Sequence, residues 1–287
     1  MSDKNKELFS APGNTALSNS STEEKAVIEI INETIDVPLP SKGLVYGENH
    51  PLHNREIATL VEMTPTEEHI LYDKKRIREG TVIDDLVQAC LRDRSVSVDR
   101  LLSGDRDALF FVLRAESFDP VYKFDVECPK CNTKQGIDFT ILEQLKLRAL
   151  DLKDVEQSEV FSNRFRFTLP KTGFVVEYKY ATVGDNKQIA KEKKDRHKAG
   201  IDQKYDLIYE LANVIVSING VTNRNDILQV LTKLPSRDSM ALRKHITKTE
   251  PGVDTTYDFK CKERDCGHEE KSTLPLDASF FFPHLGK

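Results

Sequence analysis

The alternation of apolar and polar positions along this chain changes period several times, and it does so twice in the same order. The run VPLPSKGLVY from Val37 and the run FTLPKTGFVVEY from Phe167 each set a strand-like alternation before Leu-Pro-x-x-Gly and resume it afterwards. Proline cannot donate to a ladder and glycine reaches positive φ at little cost, so both runs predict hairpins with the same kind of turn. EIATLVEM then leads into Thr64-Pro65-Thr66-Glu67, and VVEYKYA into Thr182-Val183-Gly184-Asp185. A threonine with an acidic residue three positions on starts a helix, and Pro65 suits the first helical position. Each charged helix is expected to stop at a glycine, Gly80 or Gly200. Apolar residues at helical spacing follow, VIDDLVQACL from Val82 and YDLIYELANVIV from Tyr205 to Val216. A further helix opens at GDRDALFFVL and again at PSRDSMALRK. A strand then runs into a cysteine pair, VYKFDVECPKC ending at Cys128 and Cys131, and TTYDFKCKERDC ending at Cys261 and Cys266.

The shift between the two runs is 130 positions at the prolines (40 to 170), 131 at the arginines (106 to 237) and 133 at the first cysteines (128 to 261). It falls to 118 at the threonines (64 to 182), which places an insertion after Tyr46, where GENHPLHN reads as a lengthened turn. The second run regains the difference before Arg237. The order predicts an α+β fold of two duplicated halves, each a hairpin, helices and a terminal ribbon, joined by a four-cysteine site resembling a zinc ribbon. Residues 1–26 hold too few large apolar side chains to offset the entropy of ordering them, and are expected to form a flexible N-terminal arm. The first half then spans 27–150 and the second 151–287, with the linker near LKDVEQSE.

A duplication with a twofold relation between its halves would bring the two cysteine loops together. Cys128-Pro-Lys-Cys131-Asn has the form of a zinc knuckle, and Gly267 after Cys266 permits the same turn in the wider second loop. The expected ligand set for one structural zinc is Cys128, Cys131, Cys261 and Cys266, with His268 as an alternative to Cys266 and unliganded surface thiols as the plain alternative. Four thiolates leave no open coordination position, and the chain has no HExxH helix, nucleotide loop or GxSxG, so nothing argues for catalysis.

Composition narrows the classes further. With 287 residues, 38% hydrophobic and 31% charged, the chain reads as a soluble folded protein; no apolar run reaches the roughly 20 residues of a membrane helix. The N-terminus lacks a signal-peptide core, so synthesis and residence in a cytoplasm are expected, where two close cysteine pairs favour metal over disulfide chemistry. A net charge of −5 disfavours a phosphate backbone except at a local patch.

The basic stretch from Asn186 to Lys204 reads as a solvated face because Glu192, Asp195 and Asp202 interrupt its lysines. His50 and His53 flank a proline and read as surface residues; Cys90 lies on an apolar helix face and reads as a core thiol. Tyr205, Ile208, Tyr209, Ala212 and Ile215 read as packing between helices. The closing LDASFFFPHLGK carries Phe280, Phe281 and Phe282, which either dock on the chain's own core or anchor in a partner.

Taken together, VPLPSKGLVY, the strand-then-threonine helix entry, the KCKERDCG ribbon and the closing LPLDASFFFP resemble the baseplate and baseplate-hub proteins of T-even-type contractile-tailed bacteriophages, from Val37 to Pro283. The resemblance implies a non-enzymatic virion or assembly protein, made in the host bacterial cytoplasm and located in the tail baseplate. Its expected partners are other baseplate and tail proteins in a larger hetero-oligomer, with residues 1–26 and 280–282 as attachment points. The alternative is a zinc-ribbon regulatory protein that binds nucleic acid. The matched motifs carry no contact residues over.

Overall fold

Most of the hairpin, helix and ribbon signals appear in the structure, a computed structural model that describes residues 33–200, 205–276 and 280. The arm at 1–26 and Phe281 and Phe282 lie outside the described residues. Asn32–Lys287 form one compact unit of mixed helix and strand.

The first hairpin joins β1 (Thr34–Pro38) and β2 (Ile57–Val61), in register from Thr34 against Val61 to Pro38 against Ile57. α1 (Pro65–Leu71), α2 (Lys74–Glu79), α3 (Val82–Cys90) and α4 (Ser103–Ser117) follow, with a single 3-10 turn at Val98–Arg100. β3 (Val121–Glu127) and β4 (Lys134–Thr140) make the first cysteine ribbon. α5 (Ile141–Gln144), β5 (Lys146–Arg148) and β6 (Glu156–Gln157) connect to β7 (Phe165–Thr168) and β8 (Val175–Tyr178), the second hairpin. Next come α6 (Val183–Lys198), α7 (Asp206–Val214), β9 (Ile215–Ile218), α8 (Arg224–Lys233), α9 (Ser236–Thr249) and β10 (Gly252–Asp254). β11 (Thr256–Lys260) and β12 (Glu269–Thr273) form the second cysteine ribbon.

Local chemistry explains the matching starts and stops. Thr64 and Glu67 form a reciprocal capping box on α1, and Thr182 and Asp185 form another on α6. Gly80 (φ 74) and Gly200 (φ 75) take the left-handed conformation at the expected helix stops, and Gly43 (φ 69) and Gly173 (φ 68) take it in the two hairpin turns. In each region the chain leaving the apolar helix returns to the hairpin: Leu91 bridges Leu60 of β2, and β9 pairs with β8.

The differences have local causes too. The first charged helix is interrupted at Tyr72-Asp73, where Asp73 caps α2, whereas α6 runs unbroken. Leu44, Val45 and Tyr46 turn rather than continue as strand, and pairing resumes only at Ile57. The helix expected to Val216 ends at Val214, because Ile215, Val216 and Ile218 are β-branched and the segment pairs with β8. α8 fills the segment that restores the shift, where the first region has only the 3-10 turn.

One apolar core fills the first region and reaches Phe165, Tyr178 and Tyr180; a second packs Leu169, Val176, Leu211, Ile215, Ile227 and Leu242 beneath α7, α8 and α9. Phe280 decides between the two readings of the C-terminal phenylalanines at its own position. It is fully buried against Phe111 and Tyr122, with ring centroids 5.5 and 4.9 Å away, and its carbonyl accepts a 2.8 Å hydrogen bond from Arg114 Nε. It belongs to the internal core, not to an external anchor.

Beside Arg106 and Arg237, which the sequence matches, two aspartates make like contacts. Both α4 and α9 place an aspartate at the third helical position, Asp105 and Asp238, a shift of 133 positions that equals the cysteine shift. Asp105 accepts the backbone N–H of Ser41 at 2.8 Å, and Asp238 that of Lys171 at 2.7 Å. Ser41 and Lys171 are the residues that follow Pro40 and Pro170. Arg106 instead pairs with Asp84 at 3.1 Å.

Candidate metal centre

The two ribbons turn at their cysteines in the same way. In the first, Asn132 follows Cys131 with φ 57; in the second, Gly267 follows Cys266 with φ 56. Asparagine tolerates this left-handed conformation better than most side chains, and glycine adopts it freely, so both loops double back within a few residues. The Cys128 N–H donates to Thr133 O at 3.0 Å and the Cys261 N–H to His268 O at 2.9 Å, closing each loop at its base.

Side chains then lock one ribbon on the other. Gln135 of β4 donates through Nε2 to Lys260 O at 2.9 Å and accepts the Lys262 N–H through Oε1 at 2.8 Å. Lys130 Nζ donates to Cys266 O at 2.8 Å, and Lys262 Nζ to Gly136 O at 2.6 Å, so each loop sends a lysine to the other ribbon's backbone. Phe259 is buried beneath, against Val126, Ile137 and Tyr257. None of these clamp residues stood out in the sequence, since a glutamine or lysine near a cysteine carries no spacing signal.

This framework brings the four sulfurs of Cys128, Cys131, Cys261 and Cys266 within 4.8 Å of one another. Cys128 and Cys266 are 3.8 Å apart, and Cys131 and Cys261 are 3.6 Å apart, so each close pair draws one sulfur from each ribbon. A disulfide would need about 2.05 Å. Ligands about 2.3 Å from a tetrahedral zinc stand about 3.8 Å from each other, which is close to these separations. The cluster could hold a metal ion, and a four-thiolate set leaves no position for substrate. Cys128, Cys261 and Cys266 are buried and only Cys131 faces outward.

The environment separates the thiols. The Thr133 hydroxyl and N–H hold the Cys131 thiol down to about 6. At Cys261 the Glu263 N–H favours the thiolate, yet desolvation and the neighbouring cysteines push it up to about 12. Burial likewise raises Cys266. A bound cation would favour ionisation of all four. His268 does not join the cluster: its Nε2 stands 3.4 Å from Glu270 Oε2.

The other candidates sort by burial and pairing. Lys187 contacts Asp84 and Asp99 at 3.0 and 2.6 Å, Lys193 contacts Glu210 at 3.0 Å, and Arg196 contacts Asp206 at 3.5 Å. Three cations of the basic stretch thus brace it to neighbouring elements. Cys90 is a core thiol, pushed up to about 12 by desolvation. His50 is not a surface residue: it is buried, stacks on Tyr46 at 4.2 Å and accepts the Leu52 N–H through Nδ1. His53 meets Tyr46 O through Nδ1 at 2.8 Å.

No curated protein matches the chain, and no solved structure matches it. One family model matches, that of the T4 bacteriophage base plate protein, over residues 39–282, a span that includes the second hairpin, both aspartate clamps and all four clustered cysteines. The chain belongs to the T4 bacteriophage base plate protein family.

Proposed function

We propose that this protein is a structural or assembly component of a contractile phage tail baseplate, in its hub or wedge, acting through contacts with other baseplate and tail proteins. The observation that carries the reading is the family match across residues 39–282. The role is non-enzymatic. The closed four-sulfur arrangement supports it, since such a site staples chain segments and offers a substrate no vacant position.

In this reading Cys128, Cys131, Cys261 and Cys266 hold one structural zinc that ties the two ribbons. The sulfur separations support that ligand set, and the N–H groups around Cys131 and Cys261 support thiolate ligands. The two regions are duplicated halves. The paired capping boxes, the left-handed glycines and the Asp105 and Asp238 clamps support a common origin.

Affinity purification of the tagged protein from phage-infected cells, followed by mass spectrometry, tests the assignment. Co-purification of baseplate subunits is expected. Recovery of nucleic acid in their place, released by moderate salt, would overturn it in favour of a regulatory zinc ribbon.

A further inference from the structure

In the first region the outer face of α4 is covered by the chain itself. Phe280 lies against Phe110 and Phe111 at 5.8 and 5.5 Å between centroids, and Arg114 reaches over its ring at 5.5 Å. The shift of 133 positions that carries Asp105 to Asp238 carries these three receptors to Arg243, Lys244 and Thr247 of α9. Among the described residues no segment covers the corresponding face of α9. Those residues line an open groove of about 980 Å³ together with Arg148, Arg237, Met240 and Lys248.

The chemistry of that groove is cationic with an apolar centre. Met240 is 62% exposed and gives this otherwise charged face an apolar contact point. Arg237, Lys244 and Lys248 face solvent at helical spacing, and no carboxylate among the described residues pairs with them. Among the described residues Arg148 and Arg243 donate to backbone carbonyls, of Glu250 at 2.6 Å and of Ser239 at 3.3 Å, and Arg148 also acts on the Glu250 and Asp254 carboxylates.

We propose that this face of α9 is a docking groove for an acidic segment of a partner protein that also carries apolar side chains. The inference rests on the duplicated halves and takes the groove as the counterpart of the Phe280 seat, with aromatic receptors replaced by cations. Charge complementarity selects an acidic occupant. Met240 and the arginine and lysine stems offer apolar contact that a protein segment can use and a phosphate backbone cannot, and the net charge of −5 repels a polyanion overall. Arginine and methionine are also enriched where proteins meet.

Fluorescence anisotropy on the purified full-length protein tests this, with a labelled peptide alternating glutamate and leucine and, separately, a labelled single-stranded oligodeoxynucleotide. The variant R237Q/K244Q/K248Q is expected to weaken peptide binding about tenfold, as loss of three exposed charge contacts implies. The variant K191Q/K194Q/K198Q, which removes the same charge from the exposed side of α6, is expected to leave it within about twofold. Equal losses in both variants would make the attraction non-specific and overturn the proposal, as would no loss in the first. Tighter binding of the oligonucleotide, lost in the groove variant, would overturn it in favour of nucleic acid. Unchanged circular dichroism keeps a loss from being misread as unfolding. Binding is read on purified protein, so it fails or stands independently of baseplate membership.

Discussion

The carboxylate of Asp105 accepts the backbone N–H of Ser41 at 2.8 Å across 64 residues of chain. The same carboxylate takes the Ser41 hydroxyl and, at 2.6 Å, the Tyr46 phenol, whose oxygen in turn accepts the Leu102 N–H at the start of α4. Removing it strands buried donors, each of which costs about 1–3 kcal/mol unpaired. Asp105→Ala is therefore expected to lower unfolding stability by about 3 kcal/mol, read as a drop in the urea midpoint. A change below about 0.5 kcal/mol would mean that the turn holds itself.

The paired clamps should respond to pH with opposite sign. Burial raises the Asp105 carboxyl above its ordinary value, and the hydrogen bonds from Ser41 and Tyr46 only partly offset it. Burial also acts on Asp238, but the N–H groups of Lys171 and Thr172 outweigh it and bring the carboxyl below its ordinary value. A raised group contributes stability that is present below the unfolded pKa, about 4 for aspartate, and is lost as pH rises through the folded value. A lowered group contributes stability present above about 4 and lost as pH falls through its folded value. The advantage of wild type over Asp105→Asn should shrink from acid toward neutral pH, and that over Asp238→Asn should grow. Urea melts of both variants across that range check the signs.

The hairpin glycines should differ in tolerance although both sit at positive φ. A Cβ on Gly43 would lie 2.4 Å from Arg55 N and 2.7 Å from Leu52 O, whereas a Cβ on Gly173 meets nothing within 4 Å. Gly173→Ala carries only the left-handed penalty, about 1–2 kcal/mol. Gly43→Ala adds a backbone clash and should cost more. Thermal or urea melts of the two single variants test the order.

Phe280→Ala should cost about 3–5 kcal/mol, because it empties a site lined by Phe110, Phe111 and Tyr122. An unchanged melting temperature would show that the residue contributes nothing to the core.

What could be read in the sequence followed from short-range chemistry. Thr64 with Glu67, Thr182 with Asp185, and the left-handed glycines act through neighbours a few positions away, so their spacing is visible. The clustered cysteines were legible because thiols in close pairs have few alternative uses. The aspartate clamps were not: GDRD and PSRD align most readily by their arginines, and only the fold shows that Asp105 and Asp238 each hold the turn after Pro40 or Pro170. The Gln135 clamp and the Phe280 seat depend on segments more than a hundred residues apart, which leave no local pattern. The pairing of Lys187 with Asp84 likewise needed the packing of α6 near α3 to be known.

The measurement that tests the central claim most directly is the zinc content of the pure protein, by inductively coupled plasma mass spectrometry, with Cys128→Ser and Cys261→Ser variants alongside. Each variant removes one sulfur from a different ribbon and a different close pair. The account predicts one zinc per wild-type chain, its loss or marked weakening in either variant, and a fall in stability when a chelator strips it. Wild-type protein without zinc, or variants that retain it at full stoichiometry, would contradict the account.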